Sequence, residues 1–204
     1  AGTIGKDPVE AFEAIRTAGL AGKAVWVSRG DDSGTHAKEK SLWKAAGLDS
    51  SKLRTESWYL EAGTGMTATL MMANEKRAYT ICDISTYLAI SKKGSIDLPV
   101  LVEASKSTLN VYSAIAGNPQ NSNLTKANFK GSMAFISFLV SDEGQNLFAD
   151  FGVDTYGKAL FTPYVKNLKE GQQQDIVKWV QELAYFDGSE CPLQYRYQSG
   201  NLYS

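Results

Sequence analysis

Apolar and polar positions change rhythm several times along the chain, and each change predicts an element. Asp7-Pro8 introduces a stretch, Val9 to Leu20, with Ala11, Phe12 and Ile15 at helical spacing, and Gly19 and Gly22 mark its end. Ala24-Val25-Trp26-Val27 is a short continuous apolar run, the mark of a buried strand. Gly30 to Gly34 then predicts a turn, and the segment to Ala46 carries Leu42, Trp43 and Ala46 on one side, with Gly47 placed to end a helix. This strand, loop and helix unit recurs. Ser57-Trp58-Tyr59-Leu60 predicts a strand, Gly63-Thr64-Gly65 a turn, Met66 to Lys76 a helix and Ala78 to Cys82 a further strand. Thr86 to Lys92 predicts a short helix and Leu98 to Val102 another extended piece. Alternation of this kind builds an α/β lobe around a largely parallel sheet.

Beyond Lys106 the pattern is different. Leu109 to Ala116 is an extended run closed by Asn118-Pro119, and two helices follow, Lys126 to Val140 and Ser141 to Phe151, the second opening on Ser-Asp-Glu at its positive end. They have no strands of their own to cover, which suggests the helices of a second lobe whose N-terminal sheet is missing from this chain. One more amphipathic stretch, Asp175 to Leu183, precedes an aromatic tail (Tyr185, Phe186, Tyr195, Tyr197, Tyr203) expected to pack as surface coil. The domain reading is therefore 1–107 as the α/β ligand-binding lobe, 108–165 as a return hinge strand with helices of the other lobe, and 166–204 as a helical and aromatic tail.

Composition narrows the function classes. The 204 residues are 43% hydrophobic and 21% charged, enough for a sizeable core. Lys plus Arg number 21 against 22 Asp plus Glu, so no overall field favours nucleic acid or an anionic membrane. No apolar run approaches the ~20 residues that span a bilayer, and the first residues do not read as a signal peptide. Cys82 and Cys191 lack metal-ligand spacing, and Cys82, inside an apolar run, reads as a buried free thiol. The single histidine, His36, leaves little material for zinc or proton relays and reads as a polar surface residue. No metal, cofactor or catalytic residue is assigned.

The chemistry concentrates in Ser28-Arg29-Gly30-Asp31-Asp32-Ser33-Gly34-Thr35-His36, between a strand and a helix start. Ligands of open parallel sheets bind at the carboxyl ends of strands, where helix N-termini present N–H groups to anions. Arg29 adds a full charge, and Ser28, Ser33 and Thr35 add hydroxyls, with Gly34 at the helix start. Asp32 is expected to cap the helix and Asp31 to orient Arg29 or the loop. The second turn, Glu61 to Thr67, offers Thr64, Gly65 and the start of a helix at Met66. Two readings compete with an anion site. Gly63-x-Gly65-x-x-Ala68 with Asp83 twenty residues after Gly63 imitates a dinucleotide fingerprint, and Ser33, His36 and Asp83 could be drawn as a hydrolase triad without a nucleophile elbow.

The first loop, followed by Lys38-Glu39 and Leu42-Trp43, resembles the tungstate-binding component of ABC importers, in the type II periplasmic-binding-protein-like superfamily. The likeness continues through Trp58-Tyr59, Gly63-Thr64-Gly65-Met66, Ala78-Tyr79-Thr80 with Asp83, Thr86-Tyr87-Leu88-Ala89, Asn118-Pro119 and Ser141 with Glu143-Gly144-Gln145, over about Asp7 to Pro163. It implies two α/β lobes joined by a hinge, an oxyanion held in the cleft without catalysis, an extracytoplasmic location and an ABC transporter permease as partner. On matching positions, Arg29 is the charge partner and Ser28, Ser33 and Thr35 are donors. Two departures stand out: the family's N-terminal Thr/Ser-rich loop has no counterpart here, and Asp83-Ile84-Ser85-Thr86 replaces Asp-Arg-Gly-Thr. The first makes autonomous tight binding by this chain unexpected and leaves room for a homo-oligomer or for an N-terminal lobe supplied by the rest of the protein. The alternatives kept open are the effector-sensing domain of a regulator and a receptor for molybdate or another small oxyanion.

Overall fold

The computed structural model describes residues 1–124 and 126–196 and divides into two compact units, Ala1–Leu109 and Asn110 onward. In the first, helix α1 (Pro8–Leu20) is capped by Asp7, whose carboxylate accepts the Val9 N–H, with Pro8 at its first position. Strand β1 (Trp26–Ser28) follows, then helices α2 (Gly34–Ala45) and α3 (Ser50–Leu53), strand β2 (Tyr59–Glu61), and helices α4 (Met66–Lys76) and α5 (Ile84–Lys92). β1 and β2 are parallel, in the register Trp26 to Tyr59, Val27 to Leu60 and Ser28 to Glu61. On its other edge β1 meets the chain again at Tyr79, where the Val27 N–H donates to the Tyr79 carbonyl and the Tyr79 N–H to the Val25 carbonyl.

β1 is central and buried throughout, which suits a Trp-Val-Ser segment with bulky side chains toward both faces. One face carries an aromatic cluster in which Phe12 of α1 and Trp26 of β1 pack around Trp43 of α2, with centroids 4.4 Å (Phe12) and 5.1 Å (Trp26) from its ring. Trp58 and Tyr59 close this cluster. Gly19 lets α1 lie directly on the Trp58 indole, since a Cβ there would fall 2.4 Å from the ring. The other face packs Val27 against Ala73 of α4 and Ala78, with Met66, Leu70 and Ile96 beside them.

Two predicted strands are not formed. Ala78 to Cys82 contributes the one bridge at Tyr79 and then turns into the cap of α5. Leu98 to Val102 joins no ladder: Pro99 has no N–H to give, and the Leu98 carbonyl is taken by the Tyr87 hydroxyl at 2.8 Å.

The second unit is helical: α6 (Phe129–Val140), α7 (Asp142–Asp150), α8 (Val153–Tyr156), α9 (Tyr164–Glu170) and α10 (Gln174–Ala184). Asn128 starts α6 by accepting the Gly131 N–H, so the helix begins three residues later than its apolar pattern suggested. Ser141 ends α6 and begins α7 in a single residue, its hydroxyl donating to the Phe138 carbonyl (2.7 Å) and accepting the Gly144 N–H (3.2 Å). Gln145, 6% exposed, donates to the Leu139 carbonyl and accepts the Lys166 N–H, so it ties α6, α7 and α9 together. The Ser-x-Glu-Gly-Gln segment is thus explained by packing. Gly144→Ala is expected to cost roughly 1–3 kcal/mol by overpacking, because its Cβ would meet the Phe138 carbonyl oxygen at 2.2 Å. A thermal melt checks it, and an unchanged midpoint would contradict the assigned contact.

Phe135, Phe138, Leu147 and Phe151 are exposed on α6, α7 and the turn that follows, while Leu139 is half-buried. The tail makes a bridge between Phe186 and Ser189 and an ion pair between Arg196 and Glu190, more order than a surface coil. Tyr197 and Tyr203 lie outside the described residues. Cys82 and Cys191 are both free thiols, and burial with the neighbouring Asp83 carboxylate pushes the Cys82 thiol up to about 12.

Candidate functional site

The parallel register places the ends of β1 and β2 side by side, and the Ala62 N–H donates to the Ser28 carbonyl at 2.8 Å, so both loops leave the sheet at the same level. Gly30 makes their contact close. It sits at φ +64, and a Cβ there would lie 2.9 Å from that of Glu61. Any other residue meets both the left-handed backbone penalty, roughly 1–2 kcal/mol, and this collision. Gly30→Ala is expected to lower the melting temperature and to push the two loops apart. Gly34→Ala, with no neighbour within 4 Å and no positive φ, should leave stability unchanged in the same assay.

Arg29 donates through Nε to Asp31 Oδ2 at 2.8 Å, a bond that leaves both terminal amino groups of the guanidinium unspent. The other Asp31 oxygen accepts the Ser33 N–H at 3.2 Å. The bonds from Ser33 and then Arg29 outweigh desolvation and hold the Asp31 carboxyl below the usual carboxylate range. Orientation of Arg29 by Asp31 is therefore seen. The cap is different from expectation: Ser33, not Asp32, begins α2, its Oγ accepting the His36 N–H at 3.3 Å. Asp32 is at φ 57, a conformation in which its side chain turns away to Lys40 (2.8 Å), and that ammonium group lowers its pKa. A carboxylate that would oppose an anion is thereby paired outside the loop.

His36 is also placed otherwise than expected. It is 2% exposed, and its Nδ1 accepts the Asp32 N–H at 3.0 Å, which assigns the proton of the neutral ring to Nε2. A lone histidine beside a helix start gives no sequence signal for such burial. The Ser28 hydroxyl points into the core, where Ser28 is 0% exposed and donates to Glu39 Oε2 at 2.8 Å. The Ser33 oxygen caps the helix while its hydroxyl also bonds the Asp31 carboxylate, so it would have to exchange that partner to serve a ligand, and the N–H groups of Gly34 and Thr35 lie in the first turn of α2.

On the second loop, Gly65 begins α4 without a side-chain cap, so its first-turn N–H groups are not consumed by one. Thr64 is exposed, whereas the Met66 side chain packs on Leu70 and Ile96, leaving its backbone as what it offers a ligand. A shallow depression lined by Thr64, Gly65, Thr67, Met71 and Glu75 follows α4 and does not include Arg29. Asp83 caps α5, accepting from the Thr86 N–H (2.8 Å) and the Ser85 hydroxyl (2.5 Å); burial works to raise its pKa, and these bonds lower it further than burial raises it. Its carboxylate is therefore spent on a helix start and does not orient His36. Glu39 belongs to the segment that carries the family resemblance, but the sequence assigns it no role. It is the buried acceptor beneath the first loop, and no periodicity distinguishes it from a surface residue of α2.

A family model described as the PBP superfamily domain matches residues 2–143. The chain belongs to this family. As a PBP superfamily member it is 41% identical over 142 residues to the tungstate-binding protein TupA of Peptoclostridium acidaminophilum, covering 69% of this chain and 46% of that one. It is 36% identical over 168 residues to the tungstate-binding protein TupA of Campylobacter jejuni, covering 81% and 58%. Among solved structures, the tungstate-binding protein TupA from Desulfovibrio alaskensis G20 superposes with a TM-score of 0.66 at 38% identity, covering 79% of this chain and 61% of that one. The chain spans about half the length of the curated relatives it matches.

Proposed function

We propose that this protein captures a tetrahedral oxyanion, tungstate, for an ABC importer outside the cytoplasm, and that the anion is held by Arg29, Ser33, Gly34 and Thr35 of the first loop with Thr64, Gly65 and Met66 of the second. The observation that carries this reading is the juxtaposition of two helix starts, those of α2 and α4, at adjacent strand ends, with the oriented Arg29 guanidinium between strand and helix. Each helix start behaves as roughly +0.5 charge, so with Arg29 they would balance a dianion, but the ionised Asp31 takes back about one charge. Affinity then depends on preorganised N–H and O–H donors more than on net charge. The similarity to tungstate-binding relatives supports the choice of ligand, and an ABC permease as partner follows from the same reading.

Catalysis has no place in it. His36 has Nδ1 occupied by a backbone N–H, and Asp83 is committed to its cap. No helix among the described residues is long and apolar enough to cross a membrane.

Calorimetric titration of the full-length protein, with the N-terminal lobe present, against tungstate, molybdate, sulfate and phosphate tests the proposal. Tungstate and molybdate should bind with similar affinity and well above sulfate. No heat with any of the four, or equal affinity for sulfate, would end it.

A further inference from the structure

Glu39 is fully buried, with 0% of its surface exposed, and its carboxylate accepts four hydrogen bonds from neutral donors. Oε1 takes the Trp26 indole N–H (2.9 Å), the Trp43 indole N–H (3.1 Å) and the Tyr59 hydroxyl (2.8 Å), while Oε2 takes the Ser28 hydroxyl (2.8 Å). Burial, and then the carboxylate itself, keep the Tyr59 phenol well above its usual range, so it remains a donor. Among the described residues no ion pair involves Glu39. A carboxylate carried into a core is costly unless its lone pairs are saturated, and an apolar side chain amid this aromatic cluster would avoid the cost. Stability of the cluster is therefore a weak reason for an acid at this position, and the direction of its bonds supplies a better one.

The donors span both strands and the helix. Trp26 opens β1, Ser28 closes it, Tyr59 opens β2, and Trp43 lies one turn beyond Glu39 on α2. Ser28 immediately precedes Arg29, and Glu39 lies in the second turn of the helix whose start would face the anion. The bond between them closes the intervening segment into a ring, so that Arg29 leaves the sheet at a point fixed relative to α2. Because Tyr59 is held by the same carboxylate, the strand leading to the second loop takes the same reference point.

We infer that Glu39 is a positioning residue of the oxyanion site, a buried clasp that acts through Ser28 to hold Arg29 and the start of α2 in one geometry; the inference rests on the function proposed above. Glu39 itself does not touch the ligand. This also changes the role of Ser28 from a direct donor to the link between clasp and loop. Residues that lock a binding constellation from behind decide whether its donors are already aimed before the ligand arrives.

Amide hydrogen exchange of the ligand-free protein reads this order directly. The Asp32, Ser33 and His36 N–H groups are each held by a bond within the loop, and Leu70 and Ala73 of α4 serve as references. Ser28→Ala and Glu39→Ala should speed exchange of the loop amides about tenfold relative to the references, the scale of one hydrogen bond to a charged group, and weaken tungstate binding by a similar factor. Glu39→Gln should restore both toward wild type, since its amide oxygen still accepts from Trp26, Trp43 and Tyr59 while its NH2 faces Ser28 Oγ. If Glu39→Ala does not fold, Ser28→Ala decides the question, because it leaves three donors on the carboxylate. Loop exchange in Ser28→Ala that merely tracks the references would overturn the inference, and so would a loosened loop with unchanged tungstate affinity. Failure of the wild-type protein to bind tungstate, with its loop still loosened by Ser28→Ala, would remove the oxyanion reading and leave the clasp supported.

Discussion

In the full-length protein, Arg29→Ala will abolish oxyanion binding while leaving the fold intact. Arg29 is the one arginine or lysine in Ser28 to His36 and Glu61 to Thr67, and its side chain is 22% exposed, packed against the loop without entering the core. Charge-assisted hydrogen bonds contribute about 1.5–3 kcal/mol each, so losing two from the terminal amino groups lowers affinity on the order of a hundredfold or more. The loss of the Arg29 to Asp31 pair adds little to stability because both groups meet solvent. Calorimetry with tungstate and a thermal melt on the same sample separate the two effects. An unchanged dissociation constant would show that the anion is held elsewhere. Arg29→Lys should recover only part of the affinity, since an ammonium cannot both pair with Asp31 and present a planar fork.

Trp43→Ala is expected to be the most damaging change in the first unit. Trp43 is 0% exposed and meets Phe12, Trp26, Trp58 and Tyr59, so its removal opens a cavity at the meeting point of α1, α2 and both strands. Truncations of this size in cores cost about 3–5 kcal/mol, a large part of the stability of an ordinary domain. It also takes one indole donor from Glu39. Denaturant unfolding should show a lower midpoint, and Trp43→Phe should recover much of the packing but not the hydrogen bond. A loss below 1 kcal/mol would mean that the aromatic cluster is not the organising core.

These two residues illustrate what sequence makes legible. The apolar rhythm of Phe12, Ile15, Leu42 and Trp43 places one helix before and one after the Trp26 strand along the chain without any knowledge of contacts, and the glycine at position 30 between a strand and a helix marks a loop brought close to something. Cap chemistry is less legible. Asp32 and Ser33 are adjacent and both good caps, and the choice between them depends on the left-handed backbone at Asp32, which is fixed by His36 and Lys40 from later in the helix. Glu39 is the clearest case of information that pattern lacks. An acid on a helix reads as solvent-facing, and only the three-dimensional arrival of two indoles, a phenol and a hydroxyl makes its burial affordable. Ala78 to Cys82 and Leu98 to Val102 form no strand for a related reason, as an apolar run states that a segment is covered and not that its N–H groups find a ladder.

The joint at Ser141 sets a limit on chain length. Since one residue serves as the end of α6 and the start of α7, no slack exists there to absorb an extra residue. Inserting one after Ser141 would wind α7 forward by about 100° about its axis, carrying Gln145 away from the Leu139 carbonyl and the Lys166 N–H together. Insertions at Glu103 and Ala104, exposed residues outside any helix or strand, change no such phase. Drift in length among relatives should therefore collect in segments of that kind and stop at Ser141.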